Sequence, residues 1–170
     1  MIADAPTLRA RTHQTGLWIF MATAAMLFAA FASSYLVRRG GSDWSHARLP
    51  DALWTSTGIL LLGSGTMEMA RRTGSRRWLL GTIALGVAFA LSQALAWDVM
   101  ARQGAFEPAS AHRAFFHLIT AVHAAHLGGG LVALWIVFAR PTELSLRLGA
   151  LYWYFLAGVW VAMFALMRLL

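Results

Sequence analysis

The sequence predicts an all-α membrane protein, with five transmembrane helices forming one bundle over residues 1–170. Three observations lead there. Of the residues, 59% are hydrophobic and only 12% charged, about half of the roughly 25% charge usual in soluble domains. Five apolar stretches run Gly16–Val37, Ala52–Ala70, Trp78–Trp97, Ala114–Ala139 and Leu148–Met167, each near the ~20 residues that a spanning helix requires. Arginine and tryptophan gather at their ends, as expected where headgroups meet the apolar layer. Together the stretches occupy most of the chain and leave no room for an extramembrane domain. High hydrophobicity excludes a disordered chain. The absence of cysteine excludes disulfides, thiolate metal sites, iron–sulfur clusters and cysteine catalysis.

The first stretch follows Arg9 and Arg11 and carries Trp18 near its start. Arg9/Arg11, Leu17–Ala29 and Ala30-Phe31-Ala32 also fit the three regions of a signal peptide, but a retained span is expected. The second begins beside Trp54 and carries Glu68 near its end, one turn from Arg71 and Arg72, either of which it can pair with. Its Gly63-Ser64-Gly65 has the wrong order for a serine-hydrolase elbow and reads as helix packing. The third runs from Trp78 to Trp97 and closes at Asp98, placed to face water near Arg102. The fourth carries His117, His123 and His126, with Trp135 near its end. The fifth holds Trp160 in mid-span, where packing or lipid contact is expected. Small residues at four-residue spacing occur as Ala25/Ala29/Ser33, Gly86/Ala90/Ala94 and Ala121/Ala125/Gly129. Such faces allow close helix contact, within the bundle or with another membrane subunit. The two longest connections, Arg38–Asp51 and Asp98–Arg113, hold Gly40-Gly41, Trp44, Pro50, Gly104 and Pro108.

Net charge is +7, and every basic residue other than histidine is arginine. The arginines lie between apolar stretches, a pattern of membrane flanks and not of a nucleic-acid groove. With the N-terminus inside, Arg9, Arg11, Arg71, Arg72, Arg76, Arg77, Arg140 and Arg147 fall on the inner side. Arg38, Arg39, Arg48, Arg102, Arg113 and Arg168 fall outside. The dense set Arg71–Arg77 favours a cytoplasmic N-terminus and an external C-terminus. Arg71, Arg72, Arg76 and Arg77 are the candidate lipid-headgroup ligands.

Ionisable groups inside a bilayer are functional by default, and here the fourth stretch supplies them. His123 and His126, three residues apart, share a helix face. A metal site needs three or four ligands, and a bis-histidine haem needs ligands from two sides. All three membrane histidines lie on one helix, so no metal, cofactor or catalytic residue is assigned. The expected role of Thr120, His123 and His126, with Gln93 of the third stretch, is polar interhelical packing; proton or lipid-headgroup roles are the alternative.

Taken in order, the stretches resemble the haem–copper oxidase subunit III family in its short, five-helix form. Gly16, Trp18, Phe20, Met26, Phe28 and Ala29, closing at Tyr35-Leu36, resemble the first shared helix. Leu53–Thr66 resembles the N-T-x-x-L-L-x-S-S-x-T helix, and Phe89 with Gln93 the F-x-x-x-Q helix. Phe115-Phe116, Thr120, His123, His126 and Gly130 resemble F-F-x-x-T-G-x-H-x-x-H-V-x-x-G, the most specific match. Tyr152–Phe155 with Val159-Trp160 resembles Y-W-H-F-V-D-x-V-W. The resemblance implies a cofactor-free accessory subunit of a terminal oxidase in a bacterial-type plasma membrane. Haem and copper would sit in partner subunits. The chain would dock on subunit I, beside other oxidase subunits, and hold phospholipid. Family carboxylates fall on Ala24, Ala96 and Ala157, and a family histidine on Tyr154. These departures favour a stabilising role over a proton-collecting one. They leave open an accessory subunit of nitric oxide reductase; a free-standing carrier or cytochrome is the reading from a different class. Whether the electron donor is cytochrome c or a quinol is not encoded in this chain.

Overall fold

The computed structural model describes residues 5–41, 52–103 and 111–169. Trp44, Arg48, Pro50, Gly104 and Pro108 lie outside the described residues, as does the side chain of Arg9. The described residues form five helices: α1 (Ala5–Arg38), α2 (Ala52–Thr73), α3 (Arg76–Gln103), α4 (Ala111–Ala139) and α5 (Glu143–Leu169). Each contains one of the apolar stretches, and most run past it. At ~1.5 Å per residue, the 34 residues of α1 make a rod of about 50 Å, longer than the ~30 Å apolar layer.

Among the described residues α2, α3, α4 and α5 close a ring, each packed on the next, with α5 returning to α2. The remaining helix, α1, lies against α4 and α5 only. This arrangement explains its surface: Trp18, Ile19, Met26 and Val37 are exposed, because one side of the rod has no neighbour. The core is aromatic. Phe28, Tyr35, Phe89, Phe116, Trp153 and Trp160 are all almost fully buried.

α2 and α3 are joined by two residues. Gly74 takes φ +64°, a conformation that costs glycine little, and its N–H bonds the Ala70 carbonyl at 2.9 Å, closing α2 with a left-handed cap. The helices then lie antiparallel in fixed register. Ser56 meets Ser92, and ten residues further along α2 Thr66 meets Thr82, each Oγ pair 2.9 Å apart. At the start of α5, Thr142 and Ser145 exchange bonds: the Ser145 N–H reaches Thr142 Oγ1 at 3.1 Å, and the Thr142 N–H reaches Ser145 Oγ at 2.9 Å. The pair forms a capping box with serine in the third position.

Four of the five helices are long and apolar enough to cross a membrane: Ala10–Arg38, Arg76–Val99, His112–Ala139 and Glu143–Leu169. The fifth expected span, α2, falls short of that measure. Its length of 22 residues suffices, but serine, threonine, glycine and Glu68 dilute its apolar content. The reason is its position: Ser56 and Thr57 are buried against neighbouring helices, where hydroxyls find partners.

The small-residue series also divide. Of the two glycines in these series, Gly86 makes the close internal contact expected and Gly129 does not. A Cβ at Gly86 would stand 2.7 Å from Leu131 and 2.9 Å from Trp153. Ala25, Ala29, Ser33, Ala94, Ala125 and Gly129 face outward.

Candidate functional site

Three indoles are held by one device. Thr57 Oγ1 donates to the Leu53 carbonyl of its own helix at 2.8 Å and accepts from Trp160 Nε1 at 3.1 Å. Ser64 Oγ donates to Leu60 O at 3.1 Å and accepts from Trp153 Nε1 at 3.2 Å. Thr120 Oγ1 donates to Phe116 O at 2.6 Å and accepts from Trp97 Nε1 at 2.8 Å. A hydroxyl has one proton and two lone pairs, so bonding back to the i−4 carbonyl leaves an acceptor aimed at the next helix. These contacts tie α2 to α5 and α3 to α4. Trp160 is therefore packed and not lipid-facing. Of the residues read from the sequence as interhelical, Thr120 is brought into such a bond. The pairs Thr57/Trp160 and Ser64/Trp153 were missed.

The two histidines differ. His126 is half-buried, and its Nδ1 stands 2.8 Å from the Val122 carbonyl of its own helix. A carbonyl only accepts, so in this contact Nδ1 is the donor. The link from this position to another helix is made by its backbone, whose carbonyl accepts from Tyr152 Oη at 2.9 Å. His123 is 2% exposed and packs among the rings of Phe28, Phe89 and Trp160, with centroids 6.2, 6.1 and 5.3 Å away. Neither of its ring nitrogens, nor either amide atom of buried Gln93, has a hydrogen-bond partner among the described residues. The expected side-chain hydrogen bonds from His123 and Gln93 to other helices are thus not formed; rings surround the imidazole. The positions of the missing family carboxylates, Ala24, Ala96 and Ala157, are themselves buried.

At one end of the bundle Glu68 gathers three partners. Arg71 grips it through Nε at 2.9 Å and Nη2 at 2.7 Å, Arg72 through Nε at 2.6 Å, and Tyr154 donates to it at 2.7 Å. Two of the four candidate headgroup arginines are therefore already engaged. Arg76 lies over the Phe138 ring at 6.0 Å, and Arg77 is exposed. Arg71 also lines a cleft of about 260 Å³ with Gln14, Arg147 and Tyr154, whereas Arg72, Arg76 and Arg77 do not. Asp98 pairs with Arg102 at 2.8 Å on the exposed surface of α3.

A groove of about 580 Å³ separates α1 from α4 and α5, with Leu17, Ala133, Leu148 and Tyr152 among its walls and His13, Thr142 and Ser145 adding polar groups. A second groove of about 420 Å³ shares Leu17, Ala133 and Tyr152 with it and extends to His126. Among the described residues, no group of three or more His, Cys, Asp or Glu side chains could hold a metal ion.

No family model matches the chain. Curated relatives do. It is 29% identical over 169 residues to a protein of Mycobacterium leprae named probable cytochrome c oxidase subunit 3, covering 88% of this chain and 83% of the relative. It is 29% identical to a cytochrome c oxidase subunit 3 of Corynebacterium diphtheriae with the same coverage. A cytochrome bo(3) ubiquinol oxidase subunit 3 of Pseudomonas aeruginosa is 25% identical, over 91% of this chain and 83% of the relative.

Proposed function

This chain belongs to the oxidase subunit III family, and on that premise we propose that it is a cofactor-free accessory subunit of a haem–copper respiratory oxidase, built to stabilise subunit I and to hold phospholipid. The observation that carries the reading is similarity to named subunits over most of the length of both chains. The fold supports it. Among the described residues, hydroxyl–indole bonds take up the side-chain oxygens of Thr57, Ser64 and Thr120 inside the bundle. Small-residue faces on α1 and α4 stay outward, open to another membrane subunit. Of the basic groups, Arg71 and Arg147, meeting in one cleft, suit a lipid phosphate better than the original set of four, because Arg76 and Arg77 stand apart from it.

In this reading all five helices cross the membrane. The two-residue turn after α2 and the Ser56/Ser92 and Thr66/Thr82 register hold α2 alongside α3, so α2 crosses wherever α3 does. Five crossings put the termini on opposite sides, and the arginines of Arg71–Arg77 favour a cytoplasmic N-terminus and an external C-terminus. The relatives' names include both a cytochrome c and a ubiquinol oxidase, and the donor belongs to other subunits.

The test is capture of the affinity-tagged chain from membranes in mild detergent. A reduced-minus-oxidised spectrum of the captured complex should carry haem bands that vanish when the partner oxidase is deleted. A chain that purifies without any haem subunit, or that keeps a haem when alone, refutes the reading.

A further inference from the structure

We infer that Gln93 and His123 together bind one internal water between α3 and α4, in the middle of the bundle. The inference does not depend on the oxidase reading. Both side chains are more than nine-tenths buried, and four polar atoms, Gln93 Oε1 and Nε2 and His123 Nδ1 and Nε2, have no hydrogen-bond partner among the described residues. Buried polar atoms are rarely left so in folded proteins, and each such case demands a ligand or a cost.

The two side chains share one layer. α3 and α4 meet where Trp97 bonds Thr120 and, two turns back along α3, where Phe89 faces His123. Gln93 lies one turn from each contact on the same face, opposite the turn that runs from Thr120 to His123. His126, three residues on, lines the groove beside α1, and the other polar groups near the layer are committed. The Trp160 N–H is given to Thr57, and the Thr120 hydroxyl bonds Phe116 O and Trp97.

The chemistry selects water. A neutral imidazole offers one N–H and one lone pair, and an amide offers two N–H groups and a carbonyl oxygen. Water, with two donors and two acceptors, matches either orientation of both, and a buried water needs two to four polar partners. A cation would need carboxylates or further nitrogens, and among the described residues no group of three or more His, Cys, Asp or Glu side chains could hold one. An anion would need a cationic partner, and the surrounding residues are Phe28, Phe89 and Trp160.

Pulsed X-ray hydroxyl-radical labelling in ¹⁸O water reads such a site, because a bound water oxidises the side chains it touches even where bulk solvent is excluded. In the full chain, kept in detergent or in its complex, oxidation at His123, Phe89 or Trp160 should exceed that at Phe116 by about tenfold. Phe116 is an equally buried ring on the same helix as His123. Labelling should fall to the Phe116 rate in Gln93→Leu. In an unfolding series, Gln93→Leu and His123→Phe should each lower the midpoint, and the double variant should regain most of the loss by making the layer dry. Labelling of the native chain no faster than at Phe116 overturns the inference, and that measurement stands even if a variant fails to fold. Labelling that persists undiminished in Gln93→Leu overturns it equally.

Discussion

Consider Gly86→Ala. The added methyl carbon would stand 2.7 Å from Leu131 Cδ2 and 2.9 and 3.3 Å from two carbons of the Trp153 ring, where carbon pairs prefer about 3.5–4.0 Å. Trp153 cannot retreat. It is 1% exposed, its Nε1 is bonded to Ser64, and the adjoining ring carbon stands only 3.0 Å from where a Cβ on Gly63 would be. Leu131, half-buried, must move instead. Overpacking of this kind costs about 1–3 kcal/mol. Alanine also gains about 1 kcal/mol over glycine in helix propensity, which partly conceals the clash. Gly128→Ala separates the two, because a Cβ at Gly128 meets nothing within 4 Å. The propensity gain is common to both variants, so the difference between them isolates the clash at about 1–3 kcal/mol. Unfolding of the purified chain in mixed micelles, followed by circular dichroism, measures it. A Gly86→Ala chain as stable as Gly128→Ala would show that Leu131 and Trp153 do not press on Gly86 as described.

Thr57→Val keeps the shape but removes the acceptor of Trp160 Nε1; it should cost about 1 kcal/mol, with Thr57→Ser near native in the same unfolding assay. Glu68→Gln should loosen Arg71 and Arg72 and raise the anionic phospholipid retained in native mass spectra; unchanged retention would argue against lipid binding by these arginines. Reporter fusions after Arg77 and after Arg102 should read cytoplasmic and external respectively, and the reverse pattern would invert the proposed topology.

Apolar runs, arginines and tryptophans made the five helices legible before any coordinates. Their ends were not, because hydropathy marks the membrane layer and not the helix: α1 already begins at Ala5 and α3 continues through Asp98 to Gln103. The small series at Ala25, Ala29 and Ser33 was visible too, but composition cannot say which face meets which helix, and these residues point outward. For the polar layer, the interior position of His123 and Gln93 was legible, yet their failure to bond across was not. One usable signal went unread. Trp153 and Trp160 lie seven residues apart on α5, and Thr57 and Ser64 lie seven apart on α2. Two equal spacings on antiparallel helices pair each indole with a hydroxyl, as found.

That pairing bears on how the chain is made. α2 is too polar to pass the hydropathy measure that the other four helices meet, and its partners arrive in stages. α3 emerges two residues behind it and satisfies Ser56 and Thr66, so the two helices can enter the bilayer as one hairpin. Thr57 and Ser64 wait for Trp160 and Trp153, which lie on α5 and emerge after α3 and α4. A product truncated before Glu143 keeps every residue of α2 but leaves those hydroxyls without their indoles, facing acyl chains. α5 thus latches α2 into the bundle through two indoles.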